Sequence, residues 1–376
     1  MFRRIIPYFT LICIVLTSTF FLWFPFLFRF PSWFGLKIEN SNFQYIYKQF
    51  DGPLYIIPAK TLYNPKEIAK INRDSSLSQD PKYFAAHLPL YPLLIRFVSP
   101  ILGYLKAMLG VNLIFSGVLV CLFYYVLRHF KLTKNPLLLS SIFLFFPRFL
   151  VVRSTGAPES LFIFLIFLSL YFFESKRFVL ASIVGALSVM TKTPGILLFF
   201  AYGLVGAEHI ARTRKVDLRF LWIGIIPLGL LSVFVFYWLQ TGNFLSYFQS
   251  GDNVHLVFPF SVFNFQAKWV GTAWLEDILF YFFIYGLTVI YLKNSKYRSF
   301  YYFALVFFTA TLFIQHRDIS RYSLPLWPLA CIALEQFLTS PKLRPILFLL
   351  LPGIFFYAWN FLVYNIMPIT EWLPFL

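Results

Sequence analysis

The chain has 376 residues, of which 59% are hydrophobic and 12% charged, where a soluble domain carries about 25% charged and about 45–50% apolar residues. So much apolar surface excludes a water-soluble globule. The net charge of +17 lies in short basic clusters between apolar runs, which excludes a nucleic-acid partner and suits membrane loops and anionic lipid headgroups.

In chain order, Arg3 and Arg4 precede an apolar run from Ile5 to Phe28. It is too long for a cleaved signal peptide, and bulky Phe, Trp and Pro crowd its end. It reads as a retained helix with its N-terminus in the cytoplasm. A long polar stretch follows, about Phe30 to Arg96. Further apolar runs lie near 107–127, 136–152, 158–173, 178–191, 194–207, 220–239, 274–292, 299–314, 322–338 and 344–364. These runs predict an all-α polytopic membrane protein, a single transmembrane domain over 1–376 with about 11 transmembrane helices. Its long first exoplasmic loop, about 30–105, is expected to carry interfacial helices. Several runs are shorter than the ~20 residues of a full span, so tilted or re-entrant segments are expected.

With the N-terminus inside, every short cytoplasmic connection is basic. Arg128, Lys131, Lys134, Lys176 and Arg177 fall there, as do Arg212, Arg214, Lys215, Arg219 and the Lys293–Arg298 and Lys342–Arg344 groups. The short outer connections hold only Arg148, Arg153, Lys192, Lys268, Arg317 and Arg321. That asymmetry satisfies the positive-inside rule. Cys13, Cys121 and Cys331 all lie in apolar runs without a CxxC pair, so neither a disulfide frame nor a zinc site is indicated.

The outer side carries polar groups that a lipid-embedded bundle does not need. Asp51, followed by Gly52-Pro53, is either a helix N-cap or a carboxylate at the membrane surface able to take a proton from a hydroxyl. His87-Leu88-Pro89-Leu90-Tyr91-Pro92 is either an ordinary helix entry or a rigid rim shaped by two prolines. In Arg153-Ser154-Thr155-Gly156-Ala157-Pro158-Glu159, the Pro and Glu suit a first helical turn. Glu159 also competes for an active-site role, and Arg153 is long enough to snorkel to headgroups. Lys192, in the break Thr191-Lys192-Thr193-Pro194-Gly195, is costly in lipid unless it faces a cavity or the interface. The densest group is His316-Arg317-Asp318-Ile319-Ser320-Arg321-Tyr322. If it is helical, Arg317 and Arg321 share a face, and two guanidiniums suit a phosphate.

Taken in order, these segments resemble the PIG-V family of membrane mannosyltransferases, part of the wider GT-C class that uses lipid-phosphate sugars. The resemblance is carried by Phe50-Asp51-Gly52-Pro53-Leu54-Tyr55, Ala86-His87-Leu88-Pro89-Leu90-Tyr91-Pro92, Pro158-Glu159-Ser160-Leu161-Phe162, Thr191-Lys192-Thr193-Pro194-Gly195 and Arg321-Tyr322-Ser323-Leu324-Pro325-Leu326-Trp327-Pro328. It spans about residues 1–340. Phe50 replaces the usual Trp, Lys60 a small residue, His87 a Phe and Lys192 an Arg.

The resemblance implies a GT-C-like bundle that moves a hexose, mannose by analogy, from a polyprenyl-phosphate sugar to a lipid-linked or surface glycan on the exoplasmic side. Asp51 is then the base. His87, Tyr91, Arg153, Glu159, Lys192, His316, Arg317, Arg321 and Tyr322 are the substrate-binding candidates. A phosphate leaving group needs charge stabilisation more than a general acid, which suits the cations. No cofactor is expected beyond the donor itself. No metal is expected either, because a lone Asp51 is a poor site for a hard cation. The rival readings are a polytopic transporter or lipid flippase and a non-catalytic scaffold. The absence of an N-x-S/T sequon favours a bacterial cell membrane over the endoplasmic reticulum.

Overall fold

A computed structural model describes residues 2–39, 42–73, 79–251, 256–263, 275–316, 318–369 and 371–376, with side chains from residue 5 onward. Helix dominates throughout. In hydrocarbon a helix satisfies every backbone donor and acceptor within itself, and the long Phe- and Leu-rich runs leave no alternative. Among the described residues, six helices are long and apolar enough to cross a membrane: Ile5–Leu27, Tyr104–His129, Thr193–Thr213, Leu218–Thr241, Leu275–Leu292 and Arg344–Tyr364. The chain is therefore an all-α polytopic membrane protein.

The run near 136–152 forms two helices, Pro136–Leu144 and Pro147–Arg153, bent by 74°. Counted as one broken span, the pair makes a seventh. The cause is local. Pro147 has no N–H to continue the first helix, and Phe146 before it is held extended at φ −61°, ψ 125°. The other runs form shorter pieces: Glu159–Glu174 has 16 residues, Phe178–Val189 has 12 and Arg298–Leu312 has 15. At 1.5 Å per residue, 16 residues reach only ~24 Å against a hydrocarbon core of ~30 Å. The run near 322–338 forms three pieces, Leu324–Leu326, Trp327–Ala333 and Glu335–Leu338, with Pro325 and Pro328 in the first turns of the first two.

The long first loop is itself largely helical, with Gln44–Tyr47, Gly52–Tyr55, Ile56–Thr61, Pro65–Arg73, Pro81–Ala86 and Leu90–Leu102 in succession. One small hairpin departs from the all-helical expectation. Ser32–Trp33 pairs antiparallel with Leu36–Lys37, turned by Phe34 at φ 47° and Gly35 at φ 81°. Positive φ at both central positions is what a two-residue hairpin turn requires.

Contacts divide the chain into two compact units. The first comprises Met1–Phe164, Phe234–Gly251 and Phe337–Leu376. In it the first helix packs on Tyr104–His129 and on Pro136–Leu144, while Arg344–Tyr364 packs on Pro147–Arg153. Trp359 Nε1 donates to the Leu22 carbonyl at 3.0 Å, tying the last long helix to the first.

The second unit comprises Leu165–Val233 and Asp252–Gln336. Its helices Leu197–Thr213 and Arg298–Leu312 pack together and share an ion pair, Arg298 Nε to Glu208 at 2.7 Å. Tyr202 stacks on Phe173 with ring centroids 3.9 Å apart. Its hydroxyl lies 2.7 Å from Ser169 Oγ. Two glycines let Phe178–Val189 approach Ile225–Thr241 closely. A Cβ on Gly185 would meet Ile226 Cγ1 at 2.9 Å, and one on Gly229 would meet Ala186 Cα, Cβ and O at 2.8 Å. Small residues at a helix interface serve this purpose where lipid gives no hydrophobic drive to association.

Gly229→Ala is therefore expected to destabilise the protein by about 1–3 kcal/mol through overpacking against fixed backbone. Gly224→Ala, whose Cβ would meet nothing within 4 Å, is the control. Melting of the detergent-solubilised variants checks this, and equal midpoints for the two would refute the close helix approach.

Candidate functional site

The first unit builds its polar centre around the connection from Arg153 to Glu159. Residues Arg153, Ser154, Thr155 and Glu159 are all buried there. A buried connection outside regular helix needs partners for its carbonyls, and flanking helices supply them. Trp23 Nε1 donates to Ser154 O at 2.8 Å. Asn112 Nδ2 donates to Val152 O at 2.8 Å and to Thr155 O at 2.6 Å. Ser116 and Ser160 hydroxyls meet at 2.9 Å. Glu159 opens the following helix, as the sequence predicts for a carboxylate at the positive helix end.

Arg153 corrects an expectation. It does not snorkel to headgroups, because its exposure is 0%. Its Nη1 donates to Thr19 Oγ1 at 2.9 Å, its Nη2 to Ser18 Oγ at 2.7 Å and its Nε to Leu144 O at 3.3 Å. Those bonds tie the bent pair to the first helix, so the guanidinium serves the scaffold.

Asp51 is set against this connection by glycine. A Cβ on Gly52 would lie 2.5 Å from Gly156 O, and one on Gly156 would lie 2.5 Å from Met108 Cε and Sδ. Glycine at 52 allows the two backbones so near, and glycine at 156 leaves room for Met108. Asp51 is half-buried and holds the N-cap position of Gly52–Tyr55, yet its side chain makes no capping hydrogen bond. The cap reading of this residue is met by position and not by the carboxylate.

The same short turn carries Tyr55 to the next candidates. Its ring meets His87 at 4.6 Å and Tyr91 at 5.1 Å, both edge-on. His87 is buried, and its backbone carbonyl accepts a hydrogen bond from the Tyr63 hydroxyl. Burial pushes the Tyr63 hydroxyl well above its usual range, so it remains a neutral donor. Tyr237 donates to Ala85 O at 3.0 Å, holding the same segment from another helix. Tyr91 donates to Met108 O at 2.8 Å. Burial first, and the Glu159 carboxylate second, raise its pKa. Asp51, His87, Tyr91 and Glu159 thus belong to one connected neighbourhood of the first unit.

A second group forms within the second unit. Lys192 stands half-buried and extended at the N-cap of Thr193–Ile196. Gly195 is required there, since a Cβ would meet Ser188 Oγ and Val189 N at 2.6 Å. Lys192 Nζ lies over the Tyr322 ring at 5.4 Å. That ring meets His316 edge-on at 4.8 Å. His316 Nδ1 accepts from Asp318 N at 2.9 Å, and Ser320 Oγ donates to Asp318 Oδ1 at 3.1 Å. Arg321 is 7% exposed on the short helix Ile319–Tyr322, whose N-cap is Asp318. Arg317, expected to share a face with Arg321, lies outside the described residues, as does Lys268.

Among the described residues, no group of three or more His, Cys, Asp and Glu could hold a metal ion. Compared with models of known protein families the chain matches none, and no curated protein matches it significantly. The likeness to the mannosyltransferases therefore rests on the quoted motifs alone. Sequence reasoning missed Asn112, Ser116, Met108 and Gln49. A lone Asn in an apolar run is a detectable signal, since lipid tolerates it only with partners; the other three offer none.

Gly52→Ala is expected to cost about 1–3 kcal/mol and more than Gly156→Ala, because it presses on a backbone carbonyl whereas Gly156→Ala presses on the flexible end of Met108. Thermal melting of both variants decides the order, and the reverse order would show that the two backbones are not in contact.

Proposed function

We propose that this protein is a membrane glycosyltransferase. It moves a hexose, mannose by analogy with the motifs, from a polyprenyl-phosphate sugar to a hydroxyl of a lipid-linked or surface glycan. The reading includes an eleven-pass chain with a cytoplasmic N-terminus and chemistry at the outer face, in a bacterial cell membrane. The observation that carries it is Asp51: half-buried, at a helix start, and not using its carboxylate to cap. A carboxylate at a helix start in a partly buried setting is suited to proton transfer.

The acceptor hydroxyl is a poor nucleophile. In this reading Asp51 takes its proton as the oxygen attacks the anomeric carbon, and the bond from that carbon to the phosphate oxygen breaks. Direct attack inverts the anomeric centre. The departing phosphate gains charge and calls for fixed cations. By the motifs, Lys192, Arg321 and Arg317 are the candidates for that duty, with His316 a neutral binding group. Arg153 is removed from the role because its donors are engaged with Ser18, Thr19 and Leu144.

Purified protein in nanodiscs, supplied with polyprenyl-phosphate-mannose and a glycolipid acceptor, is expected to release polyprenyl phosphate. Asp51→Asn should lower kcat by about 10²-fold or more with an unchanged melting midpoint. Arg321→Lys should also lose turnover, since an ammonium lacks the planar fork of donors. Wild-type turnover equal to that of Asp51→Asn would end the assignment of Asp51. Lipid-phosphate uptake into vesicles without sugar transfer would assign a transporter instead.

Activity should also survive excess EDTA. Loss of transfer on chelation, restored by Mg²⁺ or Mn²⁺, would overturn the metal-independent reading.

A further inference from the structure

Asp51 follows a residue whose backbone is unfavourable in isolation. Phe50 adopts φ 52°, a left-handed conformation that bulky residues rarely take. The turn is closed by Gly52 N donating to Gln49 O at 3.2 Å. Phe50 fills its first central place and Asp51, at φ −91°, ψ 15°, its second. Turns with that sign pattern normally put glycine first. An aromatic persists there only where the surroundings over-determine it.

Those surroundings are the end of the helix Arg344–Tyr364 and the segment after it. Gln49 is fully buried and donates from Nε2 to Leu362 O at 2.7 Å and to Tyr45 O at 3.0 Å. Its backbone pairs with Ile366 in an antiparallel bridge, and Met367 N donates to Lys48 O at 2.8 Å. The Phe50 ring packs on Phe361 at 5.6 Å. Farther along, Lys60 Nζ donates to Pro374 O at 2.9 Å and also to Leu376 O. The substitution of Lys for a small residue at position 60 thus has a structural use: it reaches the same segment. Arg96 Nη1 donates to Ala59 O at 2.9 Å and to Lys60 O at 2.8 Å, which steadies the helix that Lys60 leaves from.

We propose that residues 361–369 and 371–376 form a clamp on the first loop that holds the left-handed turn at Phe50 and so aims the Asp51 carboxylate, with Gln49 as its positioning residue. The function of the clamp rests on the reading of Asp51 as the base. Its geometry does not. Gln49 touches no reacting atom in this account; it acts by keeping the turn from relaxing.

The test uses the full-length protein in nanodiscs, with transfer kinetics and hydrogen exchange of the backbone over residues 45–56 measured on the same samples. Gln49→Ala is expected to speed exchange there and to lower kcat by about tenfold, with the KM for polyprenyl-phosphate-mannose within about twofold. Phe50→Gly added to Gln49→Ala should recover part of the kcat and part of the protection, because glycine takes positive φ without help. A role in packing alone predicts the opposite, a further loss from removing the ring, and that result would overturn the proposal. So would unchanged exchange in Gln49→Ala, or faster exchange with kcat unaltered. If the wild type transfers no sugar, the functional reading fails separately. Exchange then decides the clamp: recovery of protection by Phe50→Gly supports it, and lack of recovery overturns it.

Discussion

A connection buried among apolar helices has carbonyls that water cannot reach, and each must find a donor. In the first unit this constraint falls on residues 152–155, and the donors come from side chains of two different helices, Trp23 on one and Asn112 on the other. Because those donors are few and fixed, the connection has essentially one place to sit. The Ser18–Thr19–Arg153 bonds add a third tie, from the first helix to the end of the bent pair. What looks in sequence like a loose outer loop is thus among the most tightly specified parts of the unit.

The candidate site inherits its order from that connection. Gly156 gives Gly52 a flat backbone surface to rest on, and Asp51 is the residue next to Gly52. Tyr55, one short turn on, then sets the distance to His87 and Tyr91 through ring contacts. Geometry near the carboxylate is therefore set from two directions, the Gly52–Gly156 contact on one side and the Gln49–Phe50 turn on the other. A turn that needs outside support is costly to stability, and it persists only where the surrounding structure over-determines it.

Much of the fold was legible from hydrophobic runs. The runs near 5–28, 107–127, 220–239, 274–292 and 344–364 match long helices almost end to end. The run near 136–152 was legible as apolar but not as bent, although Pro147 in its middle marks the break. The run near 322–338 likewise conceals a change from a short 3₁₀ turn to α-helix after Leu326 and a break at Leu334. For the site, Asp51 and Glu159 fell at helix starts as their neighbours Gly52-Pro53 and Pro158 foretold. Arg153 went the other way. Its burial depends on hydroxyls at positions 18 and 19, more than a hundred residues away, and no local pattern encodes that. The Gly52–Gly156 contact and the Gln49–Ile366 bridge were hidden for the same reason. Close backbone approach leaves no trace in sequence beyond a glycine.

The distribution of charge sets Arg153 apart from the other cations. Taking a cation out of water costs several kcal/mol even after relaxation, so a buried guanidinium must either be bonded for structural gain or be held for an anion. Arg153 belongs to the first class, with three fixed neutral acceptors within 3.3 Å. The Lys192–Tyr322–His316–Arg321 group has another character. The Lys192 ammonium and the His316 imidazole both lie against the Tyr322 ring, next to Arg321 in the chain, with Asp318 bonded to Ser320 and to the His316 ring through its backbone N–H. Lys192 and Arg321 are both cationic, and like charges brought together in a partly buried setting are unfavourable unless something negative offsets them. Asp318, at the N-cap of the short helix that carries Arg321, supplies one such negative charge.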